Sequence, residues 1–473
     1  MSALLLIAVR TEVIRTTAQR ADGRESEMLA ARWGALPLPH VGTPERAPVD
    51  RLLAGPASPD ELDELAAAGG PSGLARWMLW ATYARDRSLI CYRLQTADGA
   101  LLADLIPTSP EAPNFMLAPP ASPPAGRVQL SRFAVLHRGG SRMILESPRA
   151  TMRAELSTCS AATLAAFTVP VSVSVSGEVD LVLSALLQAG LLAGVGDDGL
   201  LDEDRDATLS QWEFQDLLLH ARTRTNRPDE PRGGTYPFAE LRSAPPAVAH
   251  PLPANVDPDE PALITLERPD LSVLMSTDPP FARVMEERAS RRDLGPLTLG
   301  SLSEFLYRTM RVRGQRGTTD DPHAYPTTSR PHPSAGGMYE FTAYLAIDNC
   351  HGLDAGLYRY DPVEHGLSRV ASRTPDVDRL LAEGGWAAAL TAPPPVLVIL
   401  AADFRRLSWK YEGIAYALTL KNAGVLFATM QLAATAMGLG SCPVGAGDSD
   451  LFARAADTRS FEESSVGELL LGS

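Results

Sequence analysis

The sequence predicts an α+β protein. A carboxy-terminal domain, residues 271–473, follows two small winged-helix-like units, 1–124 and 125–227, and a proline-rich linker, 228–270. Three observations predict this. After residue 281, helices and buried strands succeed one another, with the apolar runs EFTAYLAI and PPPVLVILAADF and a long segment, Ile414–Met437, at helical spacing. The front half twice shows a helix-and-hairpin pattern of winged-helix size. Between those two units Pro107, Pro110, Pro113, Pro119, Pro120, Pro123 and Pro124 crowd one stretch and mark a boundary. At 473 residues the chain has room for about three domains.

Taken in order, LLLIAVRTEVIRTT alternates loosely, as one or two strands do. PVDRLLAGPASPDELDELAAAGGPSGLARWMLWATYAR holds two helices, with Ser58 or Asp60 as caps. SLICYRLQTADGALLADLIP is a hairpin turning at Asp98–Gly99. VQLSRFAVLHRGGSRMILESP reads as two strands around Gly139–Gly140, ATMRAELSTCSAATLAAF as a strand and a helix, and VDLVLSALLQAGLLAGVG as a helix ending near Gly194 or Gly196. Beyond the linker, FARVMEERASRRD and GSLSEFLYRTMRVR read as helices, the second capped by Ser301 or Ser303. GLYRYDPVEHGLSRV is a hairpin whose turn places His365 in solvent. The Ile414–Met437 helix is apolar nearly all round, so it packs on most sides, and Gly438–Leu439–Gly440 ends it.

Composition narrows the function. The hydrophobic share is 45%, ample for real cores, and 43 basic against 57 acidic residues leave a net charge of −14, which argues against nucleic acid as a partner. No apolar run approaches the roughly 20 residues that span a bilayer, and MSALLLIAVR is too short for a signal peptide. Cys91, Cys159, Cys350 and Cys442 are scattered, without metal-ligand spacing, and read as reduced thiols of a cytoplasmic protein that holds no metal.

The chemistry concentrates near the long helix. The sequence has two lysines, Lys410 and Lys421, against 41 arginines. A lysine kept where arginine is the default cation suggests proton transfer, which arginine cannot perform. Tyr411 beside Lys410 is a second proton-handling group. At the other end of the helix, Ser441–Cys442–Pro443–Val444–Gly445 is a turn that exposes backbone N–H groups. Upstream, Arg330–Tyr339 (RPHPSAGGMY) sets Ser334–Ala335–Gly336–Gly337 as a tight turn that lets backbone approach a flat ring. Arg288–Ala289–Ser290–Arg291–Arg292 offers guanidiniums and a hydroxyl suited to a phosphate dianion.

These motifs resemble the FMN-dependent nitroreductase superfamily, and in particular its SagB/ThcOx-type azoline dehydrogenases. The helix ending in MGLGSCPVG looks like the superfamily's core helix, and Lys410–Tyr411 like the Lys-Tyr pair of that branch. Tyr358, Tyr360, Pro362, His365 and Leu367 match a further segment of it, and Trp212–Arg227 is similar to the stretch that follows its peptide clamp. The resemblance covers Phe281–Ser473 well, 128–227 loosely and the first part barely. It implies FMN held by Arg288, Ser290, Arg292, Pro333, Ser334, Ala335, Gly336, Pro443, Val444 and Gly445. The chain stops at ELLLGS, so Arg288 and Arg292 are expected to carry most of the phosphate contact. It also implies a homodimer in which Ser334 serves the partner's flavin. Lys410 and Tyr411 are the implied catalytic pair: a base, and the group that tunes it. That role requires burial to lower the Lys410 pKa. The implied activity is oxidation of thiazoline or oxazoline rings to thiazoles or oxazoles in a ribosomally made precursor peptide, with a cyclodehydratase as a possible partner. The clamp-like unit would dock a leader peptide by strand addition. Two alternatives stay open: an NAD(P)H-dependent flavin reductase of a dehydroamino acid or small electrophile, and a flavin-free scaffold that binds precursor peptide.

Overall fold

A computed structural model of the chain describes residues 3–19, 25–121, 126–173, 179–224, 227–241, 262–317 and 323–473. Pro123 and Pro124 of the predicted link, and 242–261 of the predicted linker, lie outside the described residues. The chain divides into two compact units, Met1–Arg232 and Gly233–Ser473.

In the first unit the two predicted winged-helix units share one sheet. Its strands, in order across the sheet, are Ala3–Val9, Ile90–Thr96, Leu101–Pro107, Met152–Leu156, Arg142–Glu146 and Val135–Gly139. The boundary expected in the proline-rich stretch therefore falls inside a folded unit: Leu101–Pro107 pairs with Met152–Leu156 across it. Proline ends a strand but does not prevent its neighbour from being recruited at long range. Three helices, Arg46–Ala54, Pro59–Ala67 and Gly70–Asp86, replace the two expected. Ser58 caps the second, its hydroxyl accepting from the Glu61 N–H at 3.2 Å. The helix expected to reach Gly194 stops at Gln188, because Gly190 turns left-handed (φ 80°) and Leu192–Val195 becomes a strand. A separate three-stranded sheet, Ile14–Gln19, Glu25–Ala31 and Gly34–Pro37, stands ahead of the helices, its first strand exposed along its length.

The second unit is built on seven strands in the order Ile264–Thr265, Gly366–Ser372, Gly356–Asp361, Phe341–Ile347, Val396–Asp403, Glu463–Gly472 and Gly440–Val444. Every neighbouring pair in this sheet runs antiparallel. Its strands bury both faces, so they read as continuous apolar runs. Val398, Leu400, Leu469 and Leu471 face the core helix Ala415–Ala436, meeting Ala423, Leu426, Met430 and Ala434, with Phe305 and Leu306 of helix Leu299–Met310. The alternate residues Leu397, Ile399 and Leu470 face helices Pro375–Ala387 and Ser449–Ala456 through Val377, Leu381 and Phe452. Each such buried side chain contributes about 1.5–3 kcal/mol of transfer free energy, so the sheet fixes the core helix firmly.

Two local expectations differ. Helix Leu299–Met310 is capped by Thr298, which accepts from the Ser301 N–H, while Ser303 is buried. His365 is not in solvent. It is buried and hydrogen-bonded to Tyr360 OH (2.8 Å) and to Ser303 Oγ and the Glu267 carbonyl (both 3.1 Å). A left-handed backbone (φ 55°) turns its ring inward at the hairpin.

Candidate active site

The turn after Pro333 is held from beneath. Gly336 and Gly337 adopt φ of 60° and 67°, open to glycine at no steric cost. Asn422, from the core helix, accepts the Ala335 N–H at its Oδ1 (3.1 Å) and donates through Nδ2 to Glu340 (2.8 Å) and Ser334 Oγ (3.3 Å). The Ser334 hydroxyl also accepts the Tyr339 N–H (3.0 Å) and donates to Glu340 (3.2 Å). Burial pushes the Glu340 carboxyl up, and these hydrogen bonds offset part of that. Ser334 and Ala335, expected to contact a cofactor, thus use their hydroxyl and N–H inside the turn. The Gly336 N–H has no partner among the described residues.

Lys410 and Tyr411 reach over that turn. Helix Phe404–Lys410 ends at Tyr411, whose backbone is extended (φ −109°, ψ 134°). Lys410 Nζ donates to Tyr325 OH at 2.6 Å, and Tyr325 OH donates to the Gly336 carbonyl at 2.7 Å. A Cβ built on Gly336 would lie 2.6 Å from Tyr411 OH, 3.0 Å from Lys410 Nζ and 3.4 Å from Tyr325 OH. Lys410 Nζ sits 4.8, 5.3 and 5.7 Å from the ring centroids of Tyr325, Tyr411 and Tyr236. Tyr236 comes from the stretch read as linker. Gly233 bridges to Glu412, the Tyr236 N–H donates to the Lys410 carbonyl (3.0 Å), and the Tyr236 ring stands edge-on to Trp409 and stacks on His323. Burial lowers the Lys410 pKa, but the Tyr325 hydrogen bond and the three phenols more than offset it, so the net direction is up. The condition for a lysine base, a lowered pKa, is not met.

Arg288, Ser290 and Arg292 lie in the segment after helix Phe281–Glu287, beside another part of the core helix. The Arg291 N–H donates to the Ser441 carbonyl (2.9 Å), which docks the segment beside the strand leading to Pro443, Val444 and Gly445. Gln431 Nε2 approaches Ser290 Oγ (3.5 Å), and Arg292 Nε donates to the Ala388 carbonyl (3.0 Å). Arg288, Arg291 and Arg292 are exposed, and none is ion-paired among the described residues. Asn422 and Gln431 are nine positions apart, and at about 100° per residue they point to opposite sides of the helix, so the turn and the arginine segment occupy opposite faces of it. Near the Pro443–Gly445 turn, Glu468 is buried without a charged partner among the described residues, and its carboxyl is pushed up to about 7 by burial. Gly447 packs directly on it.

Tyr325, Tyr236, Asn422 and Glu340 were not singled out from the sequence. Asn422, a polar residue within an apolar helix, was a usable signal. Tyr325 and Tyr236 carry none, because only the fold brings them to Lys410.

Residues 303–472 match the nitroreductase family. The carboxy-terminal domain is therefore a nitroreductase domain on an α+β fold. Residues 128–229 match the cyanobactin oxidase ThcOx, so a ThcOx-type region precedes that domain. A nitroreductase-family protein of Methanocaldococcus jannaschii is 28% identical over 183 residues, 38% of this chain and 83% of its own. A nitroreductase-family crystal structure from Ralstonia eutropha is 23% identical at a TM-score of 0.35, across 48% of this chain and 96% of its own. The Escherichia coli microcin synthetase McbBCD complex with truncated pro-MccB17 bound is 18% identical at a TM-score of 0.33, across 50% of this chain and 85% of that one. No helix among the described residues is long and apolar enough to cross a membrane.

Proposed function

We propose that this protein oxidises thiazoline or oxazoline rings of a ribosomally made peptide to thiazoles or oxazoles, using FMN. The observation that carries the reading is the Lys410–Tyr411 pair set over the Gly336 turn of a nitroreductase domain that follows a ThcOx-type region. The residues present fit the cofactor. Gly336 leaves a cradle that a Cβ would fill, and Arg288, Ser290 and Arg292 form a cationic donor set for a phosphate dianion. Bound flavin would supply a two-electron acceptor for the hydride that leaves the ring's Cβ while a proton leaves Cα. The chain's own groups then have two tasks: Tyr325 and the Gly336 carbonyl orient Lys410, and Tyr236, held edge-on to Trp409, presents its ring to the ammonium.

The two candidate cofactor half-sites stand on opposite faces of one helix, which supports a homodimer with each site shared between copies. Tyr416 and Leu420, one turn apart on the core helix, are 49% and 40% exposed, an apolar patch of the kind a second copy would cover. A monomer in light scattering that retains stoichiometric FMN would overturn this. The exposed strand Ile14–Gln19 has no partner on its outer side among the described residues, which supports leader-peptide docking by strand addition. A cyclodehydratase that makes the azolines is the matching upstream partner.

Mass spectrometry of an azoline peptide incubated with the purified yellow protein tests the reading, through loss of two hydrogens per ring. Flavin bleached by NADPH but not by azoline peptide would indicate the reductase. A colourless protein that still binds precursor would indicate a scaffold.

A further inference from the structure

We propose that Lys410 acts as a cation rather than as a base, and that with Tyr411 it forms an oxyanion site over Gly336 for the carbonyl oxygen next to the ring's Cα. This rests on the azoline-oxidising reading above. The argument begins with geometry. The position a Cβ on Gly336 would take lies 2.6 Å from Tyr411 OH and 3.0 Å from Lys410 Nζ, so the two groups are at most 5.6 Å apart, close enough for one oxygen lying clear of the Gly336 backbone to reach both. Each is a donor there. The ammonium has three N–H bonds and gives one to Tyr325, leaving two. The Tyr411 hydroxyl makes no hydrogen bond among the described residues.

The surroundings favour the charged lysine. The groups that face Nζ are the phenols of Tyr325, Tyr411 and Tyr236, with His323 behind Tyr236. Three ring faces within 6 Å stabilise a cation, more so in a half-buried site. The nearest acid in the sequence, Glu412, is turned to Thr235 at 2.9 Å, so it does not neutralise Lys410 by ion pairing. An ammonium has no lone pair with which to take a proton, but it stabilises charge that develops opposite it.

The reaction develops charge at one identifiable atom. When the Cα–H bond of an azoline next to a peptide carbonyl breaks, the proton goes to water and the electron pair delocalises onto the carbonyl oxygen. That oxygen is the group the Lys410–Tyr411 site takes. Tyr325 is a positioning residue: its hydroxyl ties Lys410 to the Gly336 carbonyl and keeps the ammonium over the turn.

The test uses the full-length protein and the probe thiazole-4-carboxylate, a stable planar anion, with binding followed by calorimetry and ring oxidation followed separately by mass spectrometry. Wild type and Lys410→Arg should bind the probe within about threefold of each other, Lys410→Ala at least tenfold more weakly, and Tyr411→Phe in between. In turnover Lys410→Arg should lose no more than about tenfold, and Lys410→Ala roughly a hundredfold to a thousandfold, the range for one oxyanion donor. Tyr325→Phe should weaken probe binding while circular dichroism and melting stay unchanged. A Lys410→Arg enzyme as inactive as Lys410→Ala, or a Lys410→Ala protein that binds the probe like wild type, overturns the proposal. A wild type that binds the probe through Lys410 but oxidises no azoline retains the anion site and sinks the functional reading instead.

Discussion

The two faces of the core helix are built on different principles. On the Asn422 face a buried amide and a buried carboxyl hold the Ser334–Gly337 turn, and Lys410, Tyr325 and Tyr411 are gathered above it. On the Gln431 face the core helix itself offers one side-chain approach at 3.5 Å, and Arg288, Arg291 and Arg292 stand exposed and without an ion pair among the described residues. The difference follows from what each side must do. Chemistry at a ring atom needs geometry fixed in advance, because reorganisation during the reaction adds to the barrier. Anchoring a phosphate needs only charge within reach, and exposed arginines supply it.

The sharpest way to break this comparison is Gly336→Ala. The new Cβ meets Tyr411 OH and Lys410 Nζ, and alanine at φ 60° costs roughly 1–2 kcal/mol. Those polar atoms are side-chain ends that can swing aside, so the protein should fold and keep FMN while ring oxidation falls at least about a hundredfold, in keeping with lost oxyanion geometry. Undiminished turnover would show that the groups over Gly336 are not at the chemistry.

Glu468 gives the next largest expected effect and tests the other face through pH. Its folded pKa, about 7, lies above the ordinary 4.5. The folded protein therefore holds the proton more tightly than the unfolded chain, and its stability falls as pH rises from about 4.5 to 7. The loss levels off above that, at about 3 kcal/mol. Glu468→Gln should remove this slope, melting close to wild type at pH 4.5 and clearly higher at pH 8. Parallel melting curves across that range would place the carboxyl in water.

Arg288→Ala and Arg292→Ala should each weaken FMN by roughly tenfold to a hundredfold, about 1.5–3 kcal/mol per charged contact. Flavin retention on gel filtration is the readout, and no loss in either would move the phosphate elsewhere. The smallest effect separates the two helix anchors. Asn422→Ala leaves the buried Glu340 with fewer donors and should cost about 1–3 kcal/mol in urea unfolding. Gln431→Ala removes one long contact and should cost less than about 1 kcal/mol. Equal losses would mean that the turn is not preorganised as described.

The sequence by itself determined the α+β character, the core helix, the buried strands of the second unit and the residues with chemical content: Lys410, Tyr411, the glycine turn and the arginine segment. These are local signals, carried by apolar spacing, by glycine where left-handed backbone is needed, and by a lysine standing out among arginines. It did not determine that the expected units 1–124 and 125–227 share one sheet, since pairing between Leu101–Pro107 and Met152–Leu156 leaves no trace in either strand alone. Nor could it show His365 turned inward, Ser334 engaged with Asn422 and Glu340, or Tyr236 and Tyr325 brought to Lys410 from 174 and 85 positions away. The charge state of Lys410 belongs to the same class. It depends on which side chains the fold sets within a few ångströms of Nζ, and Coulomb and hydrogen-bond energies depend on that distance rather than on separation along the chain.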